Sequence, residues 1–281
     1  MPLPATFDLM DFIRRTLGED LGQGGDVTSN ATIAEDARFS AAMNARQEIV
    51  VAGIEIAAGF FRALDGNVRI EQLAVDGARA NPGTVLMRLE GNARAMLAAE
   101  RSALNTLQHL SGIATMTRAY VDAIAGTGAT LIDTRKTIPG LRLLEKYAVR
   151  MGGAENHRMR LDDGVLIKDN HVAVCGGVAE AVSRAKAANT GLKVQVEVDR
   201  IEQIEPALAA GADRLLLDNM DPAKLREAVK LVAGRVPLEA SGGVTLETIR
   251  FIAETGVDFI SVGRITQSAP AVDVGLDYAL S

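Results

Sequence analysis

Six apolar runs in the second half of the chain each end in groups that can do chemistry. They end in Asp133, Arg135 and Lys136; in Lys168, Asp169 and Asn170; in Glu197 and Asp199; in Asp218 and Asn219; in Glu239, Ser241, Gly242 and Gly243; and in Gly263 and Arg264. The cations read as an anion site. Arg135 and Lys136 are adjacent, Arg158 follows His157 in a glycine-rich loop, and Lys168 closes the run VLIK. Arginine grips carboxylate or phosphate through a planar fork, and lysine acts as a point charge. The acids Glu197 and Asp218 end neighbouring runs, so their carboxylates are expected to converge. One or two carboxylates plus a substrate phosphate are the donors Mg²⁺ takes. Taken singly, any of these groups is equally a helix cap or a surface ion pair. All six clusters together weaken that bland reading.

Phosphate has its own signature. Ser241-Gly242-Gly243 ends one run, Thr245 stands ready to cap the next helix, and the following run ends in Val262-Gly263-Arg264. Glycines let backbone N–H groups approach an anion. No Walker loop, dinucleotide fingerprint or nucleophile elbow occurs in a useful context. His109, His157 and His171 with a single cysteine, Cys175, give no zinc spacing. His109 reads as a packed helix residue and His157 as the better site candidate. Asp162-Asp163 precedes a strand, the wrong end for barrel chemistry.

The elements that position these groups alternate. The runs ATLIDTRK, GVLIKDNH, KVQVEVD, DRLLLDN, PLEASGG and DFISVGR are separated by GLRLLEKYAVRMGG, GVAEAVSRAKAAN, RIEQIEPALAAG, PAKLREAVKLVAG and TLETIRFIAETG. That alternation predicts a parallel sheet with helices outside, and six units exceed half of a TIM-type barrel. The first hundred residues differ. FDLMDFIRRTLGED has helical spacing at Phe7, Met10, Ile13 and Leu17, and the short runs ARFSAAMNA, EIVVAG, NVRIEQLAV and TVLMRLEG predict a mostly antiparallel sheet. A helix is expected from Ala93 to about Ser111, with Leu97, Leu104, Leu107 and Leu110 as its apolar stripe and Arg101 on that stripe.

Composition narrows the class. The chain has 281 residues, with 30 basic against 36 acidic side chains and a net charge of −6. An acidic chain with 4% aromatic residues and no Trp argues against a nucleic-acid partner. Asp8 and Asp11 interrupt the first apolar stretch, and VVAGIEIAAGFF is too short to span a bilayer, so no membrane association and a cytoplasmic location are expected. A lone cysteine excludes an internal disulfide and fits a reducing compartment.

The motifs ERSALNTLQHLSGIAT, DTRKTIPGLRLLEKYAV, GGAENHRMRLDDGVLIKDNH, VEVD, LLLDNM, LEASGGV and ISVGRITQSA together resemble the quinolinate phosphoribosyltransferases, from GEDLGQGGDVTS near residue 18 to the end. The resemblance implies an α/β fold, an open TIM-like α/β barrel preceded by an N-terminal α/β sandwich domain. It implies seven barrel strands where the residues themselves supply six. The expected boundaries are 1–112 for the sandwich, 113–268 for the barrel, and a tail, 269–281, placed against the sandwich. The implied substrates are quinolinate and 5-phosphoribosyl 1-diphosphate with Mg²⁺ as cofactor, and the products are nicotinate mononucleotide, diphosphate and CO₂.

Carried over by motif, Arg135, His157, Arg158 and Lys168 would face the quinolinate carboxylates, joined by Arg101 from the partner in a homodimer with shared active sites, further assembly being left open. Lys136 would lie by the phosphoribosyl diphosphate. Glu197 and Asp218 would serve the Mg²⁺–diphosphate–ribose region, and Ser241, Gly242, Gly243 and Gly263 the 5-phosphate. Thr134, Val262 and Arg264 complete the substrate-binding set; Lys136, Lys168, Glu197 and Asp218 would be the catalytic residues. Departures from the family pattern fall at Ile138, Met151, Ala154 and Arg160, none of them a substrate-contacting position. Two rivals stand beside this reading: a Schiff-base aldolase using Lys168, and a non-catalytic homologue that keeps the barrel for another ligand.

Overall fold

A computed structural model of the chain describes residues 3–278. Its contacts divide into two units.

One unit is drawn from three pieces of the chain: Met1–Arg118, Leu143–Gly153 and Ser268–Ser281. Its strands are β1 (Arg38–Ala45), β2 (Ile49–Val50), β3 (Arg69–Gln72), β4 (Arg79–Ala80), β5 (Val85–Asn92) and, near the end of the chain, β12 (Val274–Tyr278). The main sheet runs β12-β1-β5-β3 with every neighbouring pair antiparallel, and β2 pairs with β4. Ala41, Met43 and Ala45 alternate inward along β1, as a half-buried strand requires. The apolar window after Gly53 is a helix, Ile54–Leu64, burying Ile54, Ile56, Ala57, Ala58, Phe60 and Phe61. Its first N–H groups are satisfied from a distance. The Asp76 carboxylate accepts from Gly53 N–H at 2.9 Å and Ile54 N–H at 3.0 Å, and from the Tyr147 hydroxyl at 2.6 Å.

The long helix reaches from Ala93 to Ala123, past the expected stop at Ser111. Gly112 follows that expected stop. A Cβ there would strike the backbone of Pro270, so the glycine serves a close approach inside a continuing helix. The buried stripe is Met96, Ala99, Ala103, Leu104, Leu107 and Leu110, while Arg101 is exposed. The placement of Arg101 on the stripe is therefore corrected.

The other unit comprises Ala119–Arg142 and Ala154–Gln267. Its strands are β6 (Thr130–Ile132), β7 (Val165–Ile167), β8 (Val194–Val198), β9 (Arg214–Asp218), β10 (Leu238–Ser241) and β11 (Phe259–Ser261). They form one parallel sheet in the order β6-β11-β10-β9-β8-β7, with β6 and β7 left as edges. This is the singly wound order of an α/β barrel, left open. The expected seventh strand is reduced to one parallel bridge, Ile132 to Glu155, beside β6. Helices lie between the strands as predicted, with one addition: Asp169–Cys175 starts directly after Lys168.

The boundaries between units differ from the expected 112/113 and 268/269. The long helix is assigned to the first unit as far as Arg118, and Leu143–Gly153, read as a barrel helix, also counts there. The reason is its buried face: Tyr147 bonds Asp76, His109 Nε2 lies 3.0 Å from Glu145, and a Cβ on Gly152 would press on Thr117. Among the described residues no helix is long and apolar enough to cross a membrane.

Candidate active site

Side chains in a strand alternate between faces, so residues two apart share one. Along the barrel sheet this puts Leu166 and Lys168, Gln195 and Glu197, Leu216 and Asp218, and Glu239 and Ser241 on the same side in successive strands. Register confirms it: Glu197 pairs with Leu216, Glu239 with Leu216, and Ser241 with Asp218. At the carboxyl ends of these strands is a cleft of about 740 Å³. Thr134, Arg135, Lys136, His157, Arg158, Lys168, Glu197, Asp218, Ser241, Gly242, Gly243, Val262, Gly263 and Arg264 all line it. Of the residues assigned a substrate-binding or catalytic role from sequence only Arg101 does not, being in the other unit, and of the other run-end groups Asp133, Asn170 and Asp199 lie outside the lining.

The cation end is under-neutralised. Arg135, Lys136 and Lys168 make no salt bridge among the described residues, and the buried Nε of Arg135 has no hydrogen-bond partner. Arg158 donates to the Gly164 carbonyl at 2.8 Å. Burial, and then the charge of Arg135, push the Arg158 pKa down, with Asp163 opposing. Two arginines held together at a half-buried surface favour an anion between them.

A buried acid builds this corner. Asp133 is fully buried at the end of β6; it accepts from the His157 N–H at 2.8 Å and from Asn156 Nδ2 at 2.6 Å. The His157 ring is itself braced. Its Nδ1 accepts the Arg158 N–H at 2.7 Å, and its Nε2 lies 3.2 Å from Gln195 Oε1 and 3.5 Å from Glu239 Oε2.

At the acid end, burial raises the Glu197 pKa, and the charge of Asp218 raises it further, while Lys168 pulls the other way. Asn219 Nδ2 donates to Asp218 Oδ2 at 2.7 Å and orients that carboxylate. The pair suits a hard cation that would relieve its repulsion. Among the described residues no cluster of three or more His, Cys, Asp or Glu forms a cage, so such an ion would need oxygens from elsewhere, as Mg²⁺ obtains from substrate phosphates.

The glycine end is shaped by contact. Gly242 and Gly243 have φ of 96° and 60°, and a Cβ on Gly242 would collide with Asn219, itself at φ 53°. Gly263 lies under Lys136, where a Cβ would stand 2.8 Å from Lys136 Cδ. Thr134 Oγ1 accepts the Lys136 N–H at 3.0 Å, and the Thr266 hydroxyl donates to the Lys136 carbonyl at 2.7 Å. Val262 is buried, its N–H donating to Ile132 O at 3.0 Å, and Arg264 is exposed at the rim.

Ser261 and Gln267 line the cleft without having been singled out from sequence, and Asp169, Asn219 and Glu239, named there among the run-end groups, were given no role. For Glu239 the signal was present: it stands two before Ser241 in a strand, hence on the same face.

The chain matches two family descriptions, "Quinolinate phosphoribosyl transferase, N-terminal domain" over residues 26–111 and "Quinolinate phosphoribosyl transferase, C-terminal domain" over residues 113–277. It is 44% identical to the nicotinate-nucleotide pyrophosphorylase [carboxylating] of Mycobacterium leprae, covering 95% of this chain and 96% of that one. It is also 44% identical to a probable enzyme of the same name from Bacillus subtilis, over 94% and 91% of the two chains. The nicotinate-nucleotide pyrophosphorylase structure from Ehrlichia chaffeensis superposes with a TM-score of 0.94 at 41% identity, covering 98% of this chain and all of the other. Sequence and overall fold agree, and the chain belongs to the quinolinate phosphoribosyltransferase family.

Proposed function

We infer that this protein transfers the phosphoribosyl group of 5-phosphoribosyl 1-diphosphate to quinolinate with loss of CO₂, making nicotinate mononucleotide and diphosphate for NAD biosynthesis. The observation that carries this is the cation cluster of Arg135, Lys136, Arg158 and Lys168 at one cleft. A dicarboxylate beside a phosphorylated diphosphate ester needs that local field, whatever the net charge of the protein.

The roles follow from position. Arg135, Arg158 and Lys168 hold the two carboxylates; Lys136 faces the diphosphate ester; the glycine loops at Ser241–Gly243 and Gly263 receive the 5-phosphate through backbone N–H groups. Glu197 and Asp218 would hold Mg²⁺ together with diphosphate and ribose oxygens, and the bound ion would neutralise leaving-group charge. As the C1–O bond to diphosphate breaks, the two carboxylates stabilise the positive charge developing on the ribose. The pyridine nitrogen takes C1. When the 2-carboxylate departs as CO₂ the electron pair of the broken bond stays on C2, where the adjacent pyridinium charge stabilises it, and that pair then takes a proton from water. Little acid–base work is asked of the side chains, so positioning dominates. The lone Cys175 fits a reducing compartment, and we read the enzyme as cytoplasmic. Exposure of Arg101 within its own unit leaves it available to a second copy, and we read the working form as a homodimer with shared sites.

The deciding experiment is incubation with quinolinate, phosphoribosyl diphosphate and Mg²⁺, following CO₂ and nicotinate mononucleotide. Stoichiometric release of both is expected, falling to background on chelation. Equal use of nicotinate as acceptor would overturn the assignment, and a sugar-phosphate adduct trapped on Lys168 by borohydride would favour an aldolase.

A further inference from the structure

One buried acid beneath the cleft has no part in the chemistry above. Glu239 is fully buried, yet it borders the cleft. Its Oε2 accepts from Gln195 Nε2 at 2.7 Å and lies 2.8 Å from an Arg214 nitrogen. Arg214 is held in turn, with its guanidinium 3.9 Å above the Phe259 ring. Burial would raise the Glu239 pKa, but the hydrogen bond from His157, the Arg214 charge and a hydrogen bond from Ser261 outweigh it and hold the acid below its ordinary value. Glu239 therefore stays a carboxylate. Ion pairs buried this deeply are a poor route to stability compared with apolar packing, so they call for another explanation.

The hydrogen-bond directions supply one. The Gln195 amide donates to Glu239, which turns Gln195 Oε1 toward His157 Nε2. Both groups facing Nε2 are acceptors, so the imidazole proton belongs there. Nδ1 is then a lone pair, as the Arg158 backbone N–H that points at it requires.

We propose that Glu239 is a positioning residue for the carboxylate-binding corner: clamped by Arg214 and Gln195, it fixes His157 as the Nε2–H tautomer, and the Nδ1 lone pair fixes the Arg158 peptide and so sets its guanidinium beside Arg135. The tautomer half of this stands by itself; the kinetic half rests on the cleft being the quinolinate site.

The test uses long-range ¹⁵N–¹H spectra of the ligand-free full chain, tractable because the sequence holds three histidines. His157 should show the Nε2–H pattern in the wild type. In Glu239→Gln the share of that tautomer should fall. KM for quinolinate should rise about tenfold, with KM for phosphoribosyl diphosphate within twofold. Because Glu239→Gln strands the buried Arg214 charge, the double variant Glu239→Gln/Arg214→Gln serves if the single one does not fold. A wild-type Nδ1–H pattern overturns the proposal with no variant needed. So does a folded variant with an unchanged tautomer, or one in which both KM values move together. A wild type with the expected tautomer but no turnover would sink the functional reading and leave the tautomer assignment standing.

Discussion

Replacing Gly263 by alanine should damage catalysis while sparing the fold. The added methyl would stand 2.8 Å from Lys136 Cδ and 3.4 Å from Thr134 Oγ1. Carbon contacts settle near ~3.5–4.0 Å, so the lysine stem must retreat by about 1 Å. A displacement of that size in a positioning group costs on the order of 10²-fold in rate, or about 2.7 kcal/mol of transition-state stabilisation. The fold has little to lose. Gly263 is not among the positive-φ residues, so alanine fits its backbone, and the group it displaces is the flexible stem of an exposed lysine. We expect less than ~1 kcal/mol of destabilisation, a shift in Tm of at most about 4 °C. Steady-state rates of CO₂ release paired with thermal unfolding of the same preparation give both numbers. Near-wild-type kcat/KM would refute the placing of Lys136 over the reacting diphosphate ester. A collapse in Tm would refute the assignment of Gly263 to function.

Gly242→Ala should fail on both counts, losing about 1–3 kcal/mol of stability along with activity, because φ of 96° and the Asn219 backbone leave a Cβ no room; chemical denaturation would show it. Glu197→Gln should abolish turnover yet raise the Tm of the ligand-free protein at neutral pH. The raised pKa means that ionising Glu197 opposes folding: relative to the variant, the wild type is penalised once pH climbs through the folded-state pKa, and the gap closes below the ordinary carboxylate range. Unfolding curves at pH 4 and pH 7 should show the gap only at the higher pH. Arg101→Ala and Lys168→Ala, each inactive alone, should regain part of the activity when mixed and allowed to exchange subunits; no recovery after verified exchange would rule out a shared site.

The barrel half was legible because strand alternation and chemistry coincide. VLIK, VEVD, LLLD and LEAS each place an apolar pair and a terminal polar group in one short run, and all became strands of one sheet. Elements whose logic is tertiary were missed. The window around Ile54–Leu64 carries only a narrow polar stripe, Glu55 and Arg62 seven apart, in an otherwise apolar run, and its N-terminus is satisfied by Asp76, twenty-odd residues downstream. The long helix runs on through Gly112, which makes room for the Pro270 backbone, a contact no local pattern announces. Site residues at strand ends were found, but Gln195 and Arg214 lie deeper in the barrel, where a polar side chain in a short strand carries no label until its partners are seen.

The antiparallel sheet is finished by a strand translated only after the whole barrel sheet. β12 pairs with β1 across more than two hundred intervening residues, whereas every strand of the barrel lies between Thr130 and Ser261. During synthesis the amino-terminal half must therefore wait with β1 uncovered while the later half assembles, reversing the usual order in which domains mature. An exposed β1 edge is open to pairing with other nascent chains. Translation that pauses or terminates before residue 274 should yield chains that aggregate through their earliest strand.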